Sequence, residues 1–399
     1  MSQRISTLSS LNSSISLMQR LQSSIDLTGR QIASGRRILT PADDPISSAR
    51  AIELRESLAR TQQFDRNSAV VTSRLSQEET ALAATNDILQ RIRELALQAN
   101  NATVGNEARG QIGVEVRAQL KQLINLANQK DGNGAYMFAG TRENVQPVIQ
   151  NGSSFSYNGD DGRRLIQIGE GRTVPDGDPG AEIFFRIRNG NGTFAASPAA
   201  GNTGTGVVGN GSVFDPSQYD RDTYTVTFTA ADTYEVRDSS AALVATSTFA
   251  PGDTIAFRGI EFTLNGAPNV GDAFDVEPSR FRDVFSMVSD LADAIETAVF
   301  DDISQASLNN GINRGLEDLD QAIGSVLSAR TDVGSRLSII EDQENTNSAN
   351  AITFQETLAR IEDLDYAEAL SRLSQQTTIL EAAQKSFVRT QGLSLFNFI

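Results

Sequence analysis

Cysteine and histidine are both absent from the 399 residues. Without cysteine there is no disulfide, no thiol nucleophile and no thiolate metal site. Without histidine the commonest general base and the commonest transition-metal ligand are missing together. Lysine is confined to Lys121, Lys130 and Lys385, so arginine carries nearly all the positive charge. No apolar run of about 18 residues is present, which excludes a helical membrane span. The N-terminus has no hydrophobic signal core and no small-residue cleavage site, so a cleavable secretory signal is not expected. The net charge of −16 argues against nucleic acid or an anionic membrane surface as a partner.

What the chain does have is length and helical periodicity. Its 399 residues suit two or three domains. Near the C-terminus Tyr366, Leu370, Leu373, Thr377, Leu380, Gln384 and Phe387 alternate steps of four and three, the spacing of one helical seam. Near the N-terminus Leu8, Leu11, Ile15, Met18, Ile25 and Ile32 follow a similar repeat, with Leu21 slightly off phase. Both seams are diluted by polar residues. Ordering backbone costs about 1–2 kcal/mol per residue. Burying a seam side chain returns about 1.5–3 kcal/mol, and a helical hydrogen bond about 0.5–1.5 kcal/mol. For a lone tail of this composition the two sides nearly cancel. Such tails are expected to order when many copies pack together, or alternatively to pair as a hairpin within one monomer.

Between the tails the pattern is helix, strand, helix. The first amphipathic helix covers residues 2–36, and its flank is basic (Arg4, Arg20, Arg30, Arg36 and Arg37 against Asp26). Gly35 and Thr40-Pro41-Ala42-Asp43-Asp44-Pro45 end it, and Asp44 before Pro45 reads as an N-cap with proline at the first helical position. A long helix is predicted from about Ile46 to Asn100 and another over Asn106–Lys130. From 146 to 278 short alternating runs are punctuated by Gly, Asp, Asn and Pro. The clearest is Thr223–Thr229, with Tyr224, Val226 and Phe228 on one face. Helix returns at 279–300, and from Ile312 a seam of Leu316, Leu319, Ile323, Val326, Val333, Leu337 and Ile340 continues through Ala351, Phe354, Leu358 and Ile361. The phase slips at Glu362–Asp365, which reads as a joint.

The resulting fold class is α+β and multidomain. A long antiparallel helical-bundle rod carries coiled-coil terminal tails and an inserted all-β outer domain. The expected domains are 1–40 with 362–399 (tails), 41–145 with 279–361 (rod) and 146–278 (outer β domain).

Motifs that could carry chemistry are weak. Gly204-Thr-Gly206-Val-Val-Gly209 has the G-x-G-x-x-G spacing but neither the preceding strand nor the following helix of a dinucleotide site. Asp131-Gly-Asn133 starts like a calcium loop and fails at Tyr136 and Arg142. The pairs Asp43/Asp44, Asp160/Asp161 and Asp301/Asp302 fall at turns and caps rather than in a paired-carboxylate arrangement. Asn151-Gly-Ser153 and Asn191-Gly-Thr193 match a glycosylation acceptor by composition alone. No catalytic, cofactor or metal residue is assigned, and no cofactor is expected.

Several stretches resemble the flagellin superfamily. They are Gln31-Ile-Ala-Ser-Gly-Arg36, Pro41-Ala-Asp-Asp-Pro45, Ala329-Arg-Thr-Asp-Val-Gly-Ser-Arg336 and Asp363-Leu-Asp-Tyr-Ala-Glu-Ala-Leu370. Within that superfamily Tyr136-Met-Phe-Ala-Gly-Thr141 and the ending Leu393-Ser-Leu-Phe-Asn-Phe-Ile399 are similar to the proteins that join hook to filament. The resemblance implies a non-enzymatic building part, secreted through the flagellum by a type III apparatus and located at the hook–filament junction. The implied partners are copies of itself in a ring, the neighbouring hook-associated junction protein, flagellin, and an export chaperone on the C-terminal tail. Nucleic acid and membrane insertion are not among them. The residues expected to carry polymerisation are Leu8, Leu11, Ile15, Met18 and Ile25 with Leu370, Leu373, Leu380, Phe387, Leu395 and Phe396. A filament-forming flagellin is the first alternative, and an adhesin using the β domain the second.

Overall fold

The structure is a computed structural model that describes residues 7–395, with side chains at residue 9 and over 11–389. Six α-helices run in chain order: α1 (Thr7–Ser34), α2 (Pro45–Ala99), α3 (Asn106–Ala127), α4 (Val284–Glu296), α5 (Asp302–Glu362) and α6 (Tyr366–Leu395). Fourteen strands lie between α3 and α4. The chain divides into two compact units, one formed by 1–66 with 343–399 and the other by 67–342.

The unit 67–342 holds a continuous apolar core. The α2 seam contributes Val71, Leu75, Leu82, Leu89, Ile92 and Ala96, and α3 contributes Ile112, Val116, Leu120, Leu123 and Ala127. From α5 come Ile312, Leu319, Ile323, Val326, Val333 and Ile340, with Leu316 and Leu337 packed at the margin. The α5 positions are those the four-and-three spacing predicts. Helix α4 is the most amphipathic and is capped by Asp283, whose Oδ1 accepts Ser286 N at 2.7 Å. Two glycines one turn apart let α5 approach α4 closely. A Cβ on Gly311 or Gly315 would lie 2.6 Å from Ala294 or Leu291. The predicted helix over 279–300 starts later than expected. Phe281–Arg282 instead form a two-residue strand, β14, paired with β5 (Ile187–Arg188), and Phe281 is exposed under the Arg188 guanidinium rather than inward.

The β region falls into two parts with different cores. The hairpins β1 (Val148–Asn151) with β2 (Ser154–Tyr157), and β3 (Leu165–Gly169) with β4 (Arg172–Pro175), pack with a π-helical turn at Ala181–Phe185. Val148, Ile168, Val174, Ile183, Phe184 and Ile187 from this part join the helical core. Phe285 of α4 meets Phe155, Phe184 and Phe185 at 5.4–5.8 Å between ring centroids.

The second part is an antiparallel sandwich with a core of its own. One sheet has the order β10 (Leu243–Thr248), β9 (Thr233–Arg237), β8 (Tyr224–Ala230), β13 (Ala273–Pro278), β6 (Phe194–Pro198). The other has β11 (Thr254–Phe257), β12 (Ile260–Asn265) and β7 (Val207–Val213). Tyr224, Val226, Phe228, Tyr234, Ile255, Phe257, Phe262 and Phe274 fill the space between the sheets. Tyr224, Val226 and Phe228 among them form the face that the alternation of Thr223–Thr229 predicts. The exposed edge of β7 is closed by side chains of α5. Asn310 Oδ1 accepts Val208 N at 2.8 Å, its Nδ2 donates to Gly206 O at 2.9 Å, and Asn313 Nδ2 donates to Val208 O at 2.9 Å. Edge backbone groups are thus satisfied within the chain.

A candidate assembly surface on the paired terminal helices

In the unit formed by 1–66 with 343–399, α1 and α6 run antiparallel and pack against each other. The inward line of α1 is Met18, Leu21, Ile25, Thr28 and Ile32, in steps of three and four. The inward line of α6 is Ala369, Leu373, Gln376, Leu380, Ala383 and Phe387. Thr28 Oγ1 donates to Gln376 Oε1 at 3.1 Å in the middle of this contact.

A short motif-rich joint anchors the pair. Gly35, at φ +72°, ends α1 in the left-handed conformation that glycine adopts without strain, and its N–H donates to Gln31 O at 2.9 Å. Leu364 N donates to Gly35 O at 3.0 Å and Arg37 N to Glu362 O at 2.7 Å, a two-bond ladder between the ends of α1 and α5. The Arg37 guanidinium donates to Ile361 O, one of the unpaired carbonyls at the end of α5. Asp43 Oδ2 accepts the N–H groups of Thr40 and Leu39, which hold its carboxyl below the usual range. Asp44 caps α2 through Ser47, whose hydroxyl and N–H likewise lower its pKa. Asp365 caps α6 by accepting Glu368 N at 3.0 Å. The phase slip at Glu362–Asp365 is thus a true break between two helices, with a cap on the far side. Arg55 adds an ion pair to the buried Glu362.

Against this well-bonded joint the helices beyond it are poorly buried. Among the described side chains of this unit, the apolar residues that are fully buried are two alanines, Ala51 and Ala369. The other buried residues are polar: Thr28, Gln31, Ser48, Thr61, Asn347 and Glu362. Large apolar side chains stand in solvent instead. Tyr366 is 52% exposed, Leu370 53%, Val388 69% and Ile46 84%. Ile52, Ile352 and Ile379 are also exposed.

The residues expected to carry polymerisation divide accordingly. Met18, Ile25, Leu373, Leu380 and Phe387 lie in the α1–α6 contact and remain half-exposed. Leu11 and Ile15 are exposed on α1, and Leu370 is exposed on α6 rather than facing α1. Leu8, Leu395 and Phe396 lie outside the described side chains. The four-and-three alternation fits both the Tyr366 line and the line three residues on. Ala369, Gln376 and Ala383 occupy the inward one, and their small or polar side chains hid it. Ile379 and Val388 were missed because they fall off either line, and Ile46, Ile52 and Ile352 because they lie on α2 and α5 rather than on the terminal helices.

The other unit contains a buried ionic network that periodicity does not reveal. Arg74 lies within 3.2 Å of Asp131 and of Glu143, and 3.7 Å from Asp176. Arg336, from the Ala329–Arg336 motif, donates to Asp178 Oδ1 at 2.8 Å, and Arg163 reaches the same oxygen at 3.1 Å. Glu78 Oε1 accepts Asp178 N at 3.1 Å. Burial, reinforced by the Asp178 carboxylate, pushes the Glu78 carboxyl up to about 8. The aborted calcium loop is part of this network: Asp131 Oδ1 accepts Asn133 N and Ala135 N, and its other oxygen faces Arg74. The G-x-G-x-x-G stretch is a packing feature. A Cβ on Gly204 would lie 2.5 Å from Asn269 N and from the Asp272 carboxylate, which accepts Thr203 N, Gly204 N and Asn269 N.

Two long helices, a sandwich inserted between them, and terminal helices paired across a bonded joint define a flagellin-type chain. Residues 5–143 match the bacterial flagellin N-terminal helical region, and residues 316–399 match the C-terminal helical region. Similarity also extends over the whole length. The flagellar hook-associated protein 3 of Salmonella typhimurium is 23% identical over 393 residues, covering 98% of each chain. Among solved structures, Xanthomonas campestris FlgL is 37% identical with a TM-score of 0.72, over 76% of this chain and 99% of that one. The Legionella pneumophila hook-associated protein 3 is 30% identical with a TM-score of 0.75, over 77% and 98%. The chain belongs to the flagellar hook-associated protein 3 (FlgL) family, a family of structural parts of the flagellum.

Proposed function

We propose that this chain is the hook–filament junction subunit of its flagellum, a secreted building part that assembles through its terminal helices. The observation that carries this reading is the contrast within the unit formed by 1–66 with 343–399. Its joint is held by many hydrogen bonds, while among its described side chains the fully buried apolar ones are two alanines and large apolar side chains stand in water. A helical pair with so little buried apolar area has little driving force of its own. Neighbouring copies would supply the missing cover. The interface residues are then Leu8, Leu11, Ile15, Met18 and Ile25 on α1, and Leu370, Leu373, Leu380, Phe387, Leu395 and Phe396 toward the C-terminus. Functionally, 1–40 with 362–399 form the assembling part, 41–145 with 279–361 the supporting helices, and 146–278 the outer surface. The neighbouring hook-associated protein, flagellin and an export chaperone on the C-terminal tail are the partners this role requires.

The test is a flagellum whose copy of this chain lacks 388–399. The truncated protein is expected to be soluble and absent from the hook tip by immunogold labelling, and filaments should not grow. Normal filaments with label at the junction would contradict the role assigned to the tail.

A further inference from the structure

The chain contains eight Asn-Gly pairs, beginning at Asn133, Asn151, Asn158, Asn189, Asn191, Asn210, Asn265 and Asn310. In such a pair the glycine nitrogen can attack the asparagine side chain, because no Cβ hinders the approach. The reaction needs a free glycine N–H, a free asparagine amide and backbone room to turn.

Seven of the pairs fail at least one requirement. Gly134 N donates to Asp131 O at 3.0 Å, Gly190 N to Asp318 Oδ1 at 2.7 Å and Gly192 N to Asn189 O at 3.3 Å. Both ends of the Asn310 amide are engaged with β7 and its approach. Gly159 is enclosed by the Tyr157 hydroxyl and Ala139 O. Gly211 is registered against Phe262 within β7. Gly266 sits against Thr205 O, and its turn is tied by Thr205 N to Ala267 O and Ala267 N to Thr205 Oγ1.

Asn151-Gly152 meets the requirements: Asn151 closes β1 opposite Ser154, and Gly152 lies beyond it in the turn, outside both strands. Residues 151–154, at the turn between β1 and β2, are all exposed. Nothing lies within 4 Å of a Cβ built on Gly152. The turn also carries an activating group: Ser154 Oγ donates to Asn151 O at 3.0 Å. When Gly152 N loses its proton, the negative charge spreads onto that carbonyl oxygen, where a placed donor stabilises it.

We propose that Asn151 is a self-modification site, converted to aspartate and isoaspartate through a succinimide, with Ser154 as its positioning residue. Gly152 N forms a bond to Asn151 Cγ, the Cγ–Nδ2 bond breaks, and ammonia leaves with the proton from Gly152. Water then opens the ring. Attack at Cγ restores the ordinary linkage as aspartate, and attack at the main-chain carbonyl gives isoaspartate. Neither step oxidises or reduces anything. The product carries a new negative charge at the hairpin tip, one register position from Phe155, whose ring packs on Phe285 of α4.

The experiment ages the full folded chain in mildly alkaline buffer made with heavy-oxygen water, followed by peptide mapping with mass spectrometry. The 151 peptide is expected to acquire heavy oxygen first, several-fold faster than any other Asn-Gly peptide. In denaturant the eight should converge, because the structural distinctions are gone. Asn151→Gln should abolish the signal from that peptide and leave the other seven unchanged, as the longer side chain would have to close a six-membered ring. Ser154→Ala should slow conversion in the folded chain and not in denaturant, a difference that a general loosening of the hairpin would not give. Another pair converting as fast as Asn151 in the folded chain would overturn the assignment. Equal rates for folded wild type and Ser154→Ala would overturn the role of Ser154.

Discussion

Helix α5 passes through both units with one sequence pattern and two outcomes. In its first part Leu319, Val326, Val333 and Ile340 are 1% exposed or less. In its second part Ala351, Phe354, Leu358 and Ile361 continue the same alternation, yet each is only half-buried. Periodicity states which face of a helix seeks cover, and the surroundings decide whether cover exists. In 67–342 the cover comes from α2, α3, α4 and the β1–β4 hairpins. In 1–66 with 343–399 the available neighbours are narrow helices carrying Thr, Ser, Gln and Ala. The difference separates a region with a buried apolar core of its own from one whose described apolar side chains are mostly half-buried or exposed.

The largest effect that should sharpen this contrast is Phe285→Ala. It removes a fully buried ring that meets three other aromatic rings, and a loss of about 3–5 kcal/mol is expected in denaturant unfolding of the isolated chain. Phe354→Ala, the same change on the half-buried seam, should cost less than half of that. Equal losses would erase the distinction between the two parts of α5.

Glu78→Gln should act in the opposite direction. The folded carboxyl titrates near 8 against an ordinary value of 4.5. The folded state therefore holds its proton more tightly, and wild-type stability is lost as pH rises from about 4.5 through 8. The variant should be more stable by about 2–4 kcal/mol near pH 8, with the gap closing below pH 4.5. A gap independent of pH would show that Glu78 is not the titrating group.

Leu380→Ala, in the α1–α6 contact, should change the stability of the isolated chain by less than about 1 kcal/mol, because the side chain is already half in water. Leu370→Ser should change it by no more than about 0.5 kcal/mol. Both should nonetheless impair incorporation into flagella. Assembly at the wild-type level would remove these residues from the interface.

Much of this was legible in the residues themselves. Strict alternation marked Tyr224, Val226 and Phe228, and the heptad-like spacing marked the seam from Ile312 to Ile340, because burial on one face leaves a period in the sequence. The Asp44-Pro45 cap and the break at Glu362–Asp365 were equally readable, since caps and phase slips are local. Features built from distant segments left no such trace. The Arg74–Glu78–Asp178–Arg336 network joins residues more than 250 positions apart. The attachment of β1–β4 to the helical core, rather than to the sandwich, depends on which apolar faces meet. On α6 the inward line was obscured because alanine and glutamine occupy positions where leucine would have declared it.

Hydrogen exchange on the dilute, full-length chain tests the central claim most directly. Amides of α1 and α6 are expected to exchange orders of magnitude faster than those of 71–99 and 308–340, with protection rising only when copies assemble. Equal protection of the terminal helices and the central core in the isolated chain would contradict it.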